Sequence, residues 1–287
     1  MGNLAPGLFS IILPFYLLAF GFISAYFAWF LFLVIGTILY AIIAKNTYYF
    51  QYKKAGHSVA ESRELAAKLG QEMFPSGNVK DSLLNSARIP NTWALVALYF
   101  TTFGGFIGLT AWFPIYWYQL HDFTVVKAGL FTALFSITAS IIRVYGGTLA
   151  DKLGGEKTSL FAMIIVLCSS LLLSFTQSVI PGIILAIVLA LGMGINNAAV
   201  FKLVPNYIPK AVGGASGWIG GLGAFGGFAI PPVMGAIAGL EGRIGYAHGF
   251  IVFAVLAVVS ILIIALLMKQ LRRQHKHQTE EVNIVKK

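Results

Sequence analysis

Residues 128–150 read AGLFTALFSITASIIRVYGGTLA. The stretch is apolar from end to end except for one full charge, Arg143. A run of about 20 such residues crosses a hydrocarbon core of about 30 Å as a single helix. A membrane β-strand would instead alternate apolar and polar residues, so the pattern excludes a β-barrel.

Seven further runs have the same character: 4–24, 25–44, 93–118, 158–176, 180–201, 212–239 and 249–268. The first has no basic leader and is too long for a signal peptide, so it reads as a retained helix. Pro6, Pro14, Pro114, Pro231 and Pro232 lie inside the runs; neighbouring helices can re-satisfy the freed backbone groups. The composition agrees. Of 287 residues, 58% are hydrophobic and only 10% charged, against about 25% charged in a soluble domain. A disordered chain, a disulfide scaffold and a soluble enzyme are excluded. Cys168 lies in an apolar run and forms no internal disulfide, being the single cysteine.

One polar stretch, 45–90, interrupts the series. Ser58-Val59-Ala60-Glu61 reads as a capping box opening a helix. Leu65, Leu69 and Met73 then recur every four residues as an apolar stripe. Two readings stand: an amphipathic helix at the membrane surface, or a regulatory docking helix. With this stretch placed in the cytoplasm and sides alternated at each run, 17 of the 20 basic residues fall on the cytoplasmic side and only Lys127 and Arg243 among them on the outer side. The positive-inside rule then fixes the orientation, with the 48–90 loop and the C-terminus cytoplasmic. Nine charges of the net +10 are thereby topological. The basic tail reads as a membrane-lipid anchor rather than a nucleic-acid patch.

Arg143 is the exception, a charge inside a span that costs at least ~2.5 kcal/mol there. No Asp or Glu lies in any of the eight runs to neutralise it. Either it snorkels to the surface, or it faces a water-filled path and meets an anion. Ser136 and Ser140 share its helix face, which supports a polar interior. A planar guanidinium suits a planar oxyanion, and the lack of buried carboxylates argues against a cation substrate. Tyr99 and Phe103 lie four apart, on one face of the preceding helix. Spacing alone fits ordinary packing as well as an anion contact.

Gly217, Gly220, Gly221, Gly223, Gly226 and Gly227 crowd one helix that runs into Pro231-Pro232. Small residues at spacings of three and four let helices approach and slide, so this helix reads as a packing and gating element. The five histidines fall in loops or in the tail with no metal-ligand spacing; neither a metal site nor a cofactor is expected.

Gly146-Gly147-Thr148-Leu149-Ala150-Asp151-Lys152-Leu153-Gly154-Gly155 is similar to the short cytoplasmic loop motif of the major facilitator superfamily, carried here by Gly147, Asp151, Lys152 and Gly154. Taken with Arg143, the 99–108 stretch, the glycine helix 217–227, and Met1-Gly2-Asn3 followed by Pro6-Gly7, the pattern resembles the nitrate/nitrite porter family of that superfamily. The resemblance implies an all-α polytopic membrane protein with about eight transmembrane helices. It assigns 1–47 to the last two helices of an N-terminal bundle, 48–90 to the inter-bundle loop, 91–270 to a complete six-helix C-terminal bundle, and 271–287 to the tail. The family's first four helices have no counterpart, so the chain is expected to be truncated, lacking the second substrate arginine.

By the same resemblance Arg143 is the substrate arginine, Tyr99 its hydrogen-bonding partner, Phe103 the stacking ring and Asn3 a polar contact of the first signature motif. The glycine helix is the second signature motif. The expected function is transport of nitrate and/or nitrite, small inorganic anions, across the bacterial plasma membrane by alternating access, as a monomer. Antiport and proton symport both stay open. Rival readings are a non-transporting sensor or paralogue, and a carrier of another small anion.

Overall fold

The computed structural model describes residues 4–71 and 79–285, with side chains through Gln270. Asn3 and Met73, both singled out above, lie outside the described residues. Every regular element among the described residues is helical.

The chain divides into two compact units, Phe15–Asn78 and Met1–Pro14 with Val79–Lys287. Helix α1, Ala5–Ile43, contributes to both. It takes in the two runs 4–24 and 25–44 as one element, interrupted at Gly21 (φ 78°, ψ 172°). Among the described residues, the eight apolar runs therefore give seven elements long and apolar enough to cross a membrane. The reason is local. Neither Ser24 nor Ala25 stops a helix, whereas Gly21, close to the junction of the two runs, can take a positive φ without strain.

In the smaller unit, α2 (Tyr48–Lys54) and α3 (Val59–Lys68) follow α1. The capping box is present: Ser58 Oγ accepts from the Glu61 N–H at 3.2 Å, and Glu61 Oε2 accepts from the Ser58 N–H at 3.1 Å. The apolar stripe is not as the spacing predicts. Gly70 adopts φ 79° just past Lys68, which leaves Leu69 outside the helix and exposed. The buried residues of α3 are Ser62 and Ala66. The Tyr49 N–H donates to Gln71 Oε1 at 3.1 Å, tying the start of α2 to the chain just after α3.

The larger unit holds α4 (Val79–Ala87), α5 (Pro90–Tyr99), a π turn (Phe100–Gly104) and α6 (Gly105–His121). Next come α7 (Val125–Leu153), α8 (Gly155–Phe175) and α9 (Val179–Tyr207). Helices α10 (Val212–Ala224), α11 (Gly226–Glu241), α12 (Gly245–His248) and α13 (Ile251–Val285) complete it. Helix α4 lies inside the stretch read from sequence as loop. It is held to α10, where the Gly214 N–H donates to Ser82 Oγ at 3.1 Å and Trp218 Nε1 donates to Leu83 O at 3.0 Å. Helix α13 continues through the tail to Val285 because no Gly or Pro stops it.

Helix α9 is the hub: it packs against α5, α7 and α8. Glycines let it approach. A Cβ at Gly146 of α7 would stand 2.7 Å from Ile195 Cα, and one at Gly192 would stand 2.9 Å from Ala162 O of α8.

Candidate functional site

The site begins with the way α5 ends. Thr101 and Thr102 are buried, and their hydroxyls turn back onto Ala97 O (3.1 Å) and Leu98 O (3.2 Å). Such back-bonding competes with the helix ladder. The backbone widens there into the π turn, closed by the Gly105 N–H onto Phe100 O. Single π turns inside α-helices recur at functional sites. This one follows Tyr99 directly and contains Phe103, and it leaves their rings stacked, centroids 4.7 Å apart at 17°.

Arg143 of α7 completes the group. Its Nη2 donates to Tyr99 Oη at 3.3 Å, and its Cζ lies over the Phe103 ring, 5.8 Å from the centroid. The guanidinium thus combines a hydrogen bond with a cation–π contact. Phe201 of α9 meets Tyr99 edge-on at 5.0 Å. Tyr99 is buried, while Arg143 and Phe103 are half-buried. Helix α7 runs on to Leu153, past the expected end at 150, so Arg143 is about 15 Å from the helix end. Ser136 and Ser140 share its face as the spacing predicts. Ser136 is fully buried with its hydroxyl 3.3 Å from that of Thr110, and Ser140 Oγ donates to Ser136 O at 2.8 Å. A guanidinium has five N–H donors, and one is committed to Tyr99. The others make it a ready receptor for a planar oxyanion, with the Phe103 ring as a flat neighbour.

The glycine helix divides in two. A Cβ at Gly223 would stand 2.6 Å from Tyr99 Cδ1, one at Gly226 2.6 Å from Phe100 O, and one at Gly227 2.6 Å from Ile107 Cγ2. These three let α10 and α11 close on the π turn. At Gly220 and Gly221 a Cβ would meet nothing within 4 Å, and at Gly217 just Leu83 Cδ2 at 3.4 Å. The loop motif divides likewise. Gly154 takes φ 89° between α7 and α8, a conformation that suits glycine, whereas a Cβ at Gly147 meets nothing within 4 Å and the close contact belongs to Gly146. Asp151 lies in the last turn of α7, where a negative charge opposes the helix dipole; an ion pair with Lys202 of α9 offsets this. Lys152, in the same last turn, has the favourable sign and is exposed.

Two residues were missed in the sequence reading. Asn196 and Asn197 of α9 are buried at 0% and 2% exposure. Asn196 Nδ2 donates to Thr102 Oγ1 at 3.0 Å, on the π turn. Adjacent amides within the apolar run 180–201 are the signal that would have found them.

Comparison with known proteins follows this geometry. The sequence profile described as Major Facilitator Superfamily matches residues 1–231 and 129–286. A probable nitrate/nitrite antiporter of Thermus thermophilus is 32% identical over 215 residues, covering 68% of this chain and 48% of that protein. A nitrite extrusion protein of Bacillus subtilis is 30% identical over 190 residues, covering 66% and 48%. A probable nitrate transporter of Staphylococcus epidermidis is 28% identical over 165 residues, covering 57% and 43%. The chain spans about half the length of these relatives. Among solved structures, a bacterial homolog of the human lysosomal transporter Spinster, in an inward-facing and unoccupied conformation, matches with a TM-score of 0.50. That match has 16% identity, covers 72% of this chain and 57% of the other, and speaks for the fold alone. The chain belongs to the major facilitator superfamily.

Proposed function

We propose that this chain carries half of an anion-binding site for nitrate and/or nitrite, and that it serves transport of these ions across the bacterial plasma membrane by alternating access. The observation that carries the reading is the convergence of Arg143, Tyr99 and Phe103 from two helices. Arg143 supplies the charge and paired N–H donors. The Tyr99 hydroxyl, already accepting from Arg143, donates its own proton toward a bound oxygen. Phe103 offers a flat face to a flat ion. Gly223, Gly226 and Gly227 let α10 and α11 ride close to this group, so a rocking motion there would reach the anion directly. Asn3, outside the described residues, remains assigned by family resemblance as a further polar contact. The carboxylates of the described spans, Asp151, Glu156 and Glu241, lie within about a turn of helix ends. Nitrate/nitrite exchange and proton symport both fit an arginine-centred site of this kind. The 48–90 loop and the C-terminus face the cytoplasm, following the basic residues.

The test is anion binding by the purified chain, and uptake into vesicles by the gene product that contains it, with Arg143→Lys alongside. Lysine keeps the charge and loses the fork, so nitrate affinity is expected to fall about tenfold, near 1.4 kcal/mol. Unchanged affinity in the lysine variant would remove the bidentate role, and the same affinity for chloride as for nitrate would favour a carrier of another small anion.

A further inference from the structure

Asn196 is fully buried, well inside a membrane-spanning helix. Its Nδ2 donates to Thr102 Oγ1 at 3.0 Å and reaches Leu98 O at 3.5 Å. Thr102 Oγ1 in turn donates to Leu98 O. Two side-chain donors, Thr102 of the π turn itself and Asn196 of α9, therefore meet on the last turn of α5, where the backbone opens into the π turn. That turn begins just after Tyr99 and contains Phe103, the two aromatic residues of the anion site.

The other half of the same amide is unusual. Asn196 Oδ1 is buried with no hydrogen-bond partner among the described residues. A buried amide oxygen without a donor destabilises a fold. Leucine has the same branched outline of four side-chain heavy atoms and would avoid that loss. An amide kept under those terms marks a position where arrangement outweighs stability. A π turn is itself a departure from the favoured helix and needs outside support to persist. Asn196 supplies that support from the helix hub.

We propose that Asn196 is a positioning residue for the anion site: its amide holds the Phe100–Gly104 π turn, and through it the Tyr99–Phe103 stack, in the arrangement that meets Arg143. It touches no anion itself. The inference rests on the nitrate/nitrite reading for its functional consequence, but not for its structural one.

The experiment uses the purified full chain in detergent with sodium nitrate as probe. Asn196→Leu removes the clasp and the unmet oxygen together. Thr102→Val removes the accepting oxygen from the other side with little change of shape. Three readouts are taken: nitrate affinity, thermal midpoint, and amide hydrogen exchange over residues 99–105. Each single variant is expected to weaken nitrate binding about threefold to fifteenfold, the equivalent of one interhelical hydrogen bond in a membrane. The double variant is expected to be no weaker than the worse single, because both break one link. Exchange over 99–105 should quicken in both, while the midpoint of Asn196→Leu stays level or rises. A lower midpoint with unchanged affinity would make Asn196 a purely structural amide and overturn the proposal, as would additive effects of the two substitutions. If the parent chain binds no nitrate, the functional reading fails, and exchange still decides the clasp: unchanged exchange over 99–105 overturns it.

Discussion

Two halves of the larger unit are equally apolar in sequence and built on different terms. Around Phe113 the interior is closed by rings. Phe113, Tyr116, Phe135 and Phe250 are fully buried, and Phe113 lies 4.8 Å from Phe135 and 5.4 Å from Phe250, centroid to centroid. Around Tyr99 the rings share the space with a guanidinium, the Asn196 amide, a π turn and three close-packed glycines. The first half takes its shape from side-chain volume, and the second from departures of the backbone and from polar groups that apolar surroundings disfavour. The difference separates membrane residence, which hydropathy alone secures, from a site, which appears where the chain gives up apolar packing.

The largest expected effect tests that separation directly. Phe113→Ala opens a cavity in the ring cluster and should lower stability by about 3–5 kcal/mol, read as a fall in the thermal midpoint in detergent. The fraction that stays folded should bind nitrate nearly as before. Arg143→Ala should do the reverse. It is expected to weaken nitrate binding about 100-fold or more, since truncating one side of a buried charge pair costs about 2–5 kcal/mol. Its midpoint should hold or rise, because a charge has left an apolar span. Parallel losses of stability and binding in both variants would break the comparison.

Next in size is a contrast within the glycine helix. At Gly226 a Cβ would stand 2.6 Å from Phe100 O and 3.0 Å from Gly104 Cα. These are backbone atoms that cannot swing aside, so Gly226→Ala should cost about 1–3 kcal/mol as overpacking. At Gly220 a Cβ meets nothing within 4 Å, so Gly220→Ala should be neutral or stabilise by up to ~1 kcal/mol through helix propensity. Thermal midpoints of the two variants, measured side by side, should move in opposite directions. Equal shifts would mean that the closeness of α11 to the π turn has no energetic weight.

The two halves were not equally legible in the sequence. Runs of apolar residues carry the spans because a bilayer leaves one solution for the backbone, and Arg143 stands out because a charge in a span needs a reason. Tyr99 and Phe103 were readable as a pair by their spacing, but their stacking depends on a π turn that no periodicity announces. The glycine helix could be named but not divided, since whether Gly220 or Gly226 packs depends on the neighbour each one faces. Asn196 escaped for the same reason: its partner, Thr102, is 94 residues away in the chain. Gly21 escaped for a different one. A single glycine in an apolar run reads as helix until the backbone shows a positive φ. Asn3 lies outside the described residues and keeps the standing that family resemblance gives it.

The smallest expected effect lies outside the spans, in α3, where polar groups face water. Glu61 is fully exposed, and its carboxyl is held below the usual carboxylate range by the Ser58 backbone N–H first and the Ser58 side chain second, with His57 adding a smaller pull. A depressed carboxylate pKa favours the folded helix while the group is ionised. The contribution is therefore complete at neutral pH and is lost as pH falls through the lowered folded value. Glu64 carries the same sign, because a hydrogen bond from Lys68 holds its carboxyl low. Both effects are surface effects that solvent and salt screen. The protection of the 59–68 amides against hydrogen exchange, taken relative to the intrinsic rate at each pH, should thus fall on acidification through the carboxylate range. In Glu61→Gln the glutamine keeps the capping geometry, and that acid step should shrink to the part due to Glu64. Nitrate affinity at neutral pH should be the same in both proteins, since α3 shares no residue with the Arg143 group. A capping variant that shifted nitrate affinity as far as Arg143→Lys would show that polar groups outside the spans govern the anion as strongly as those within, and the division between the two kinds of polarity would fall.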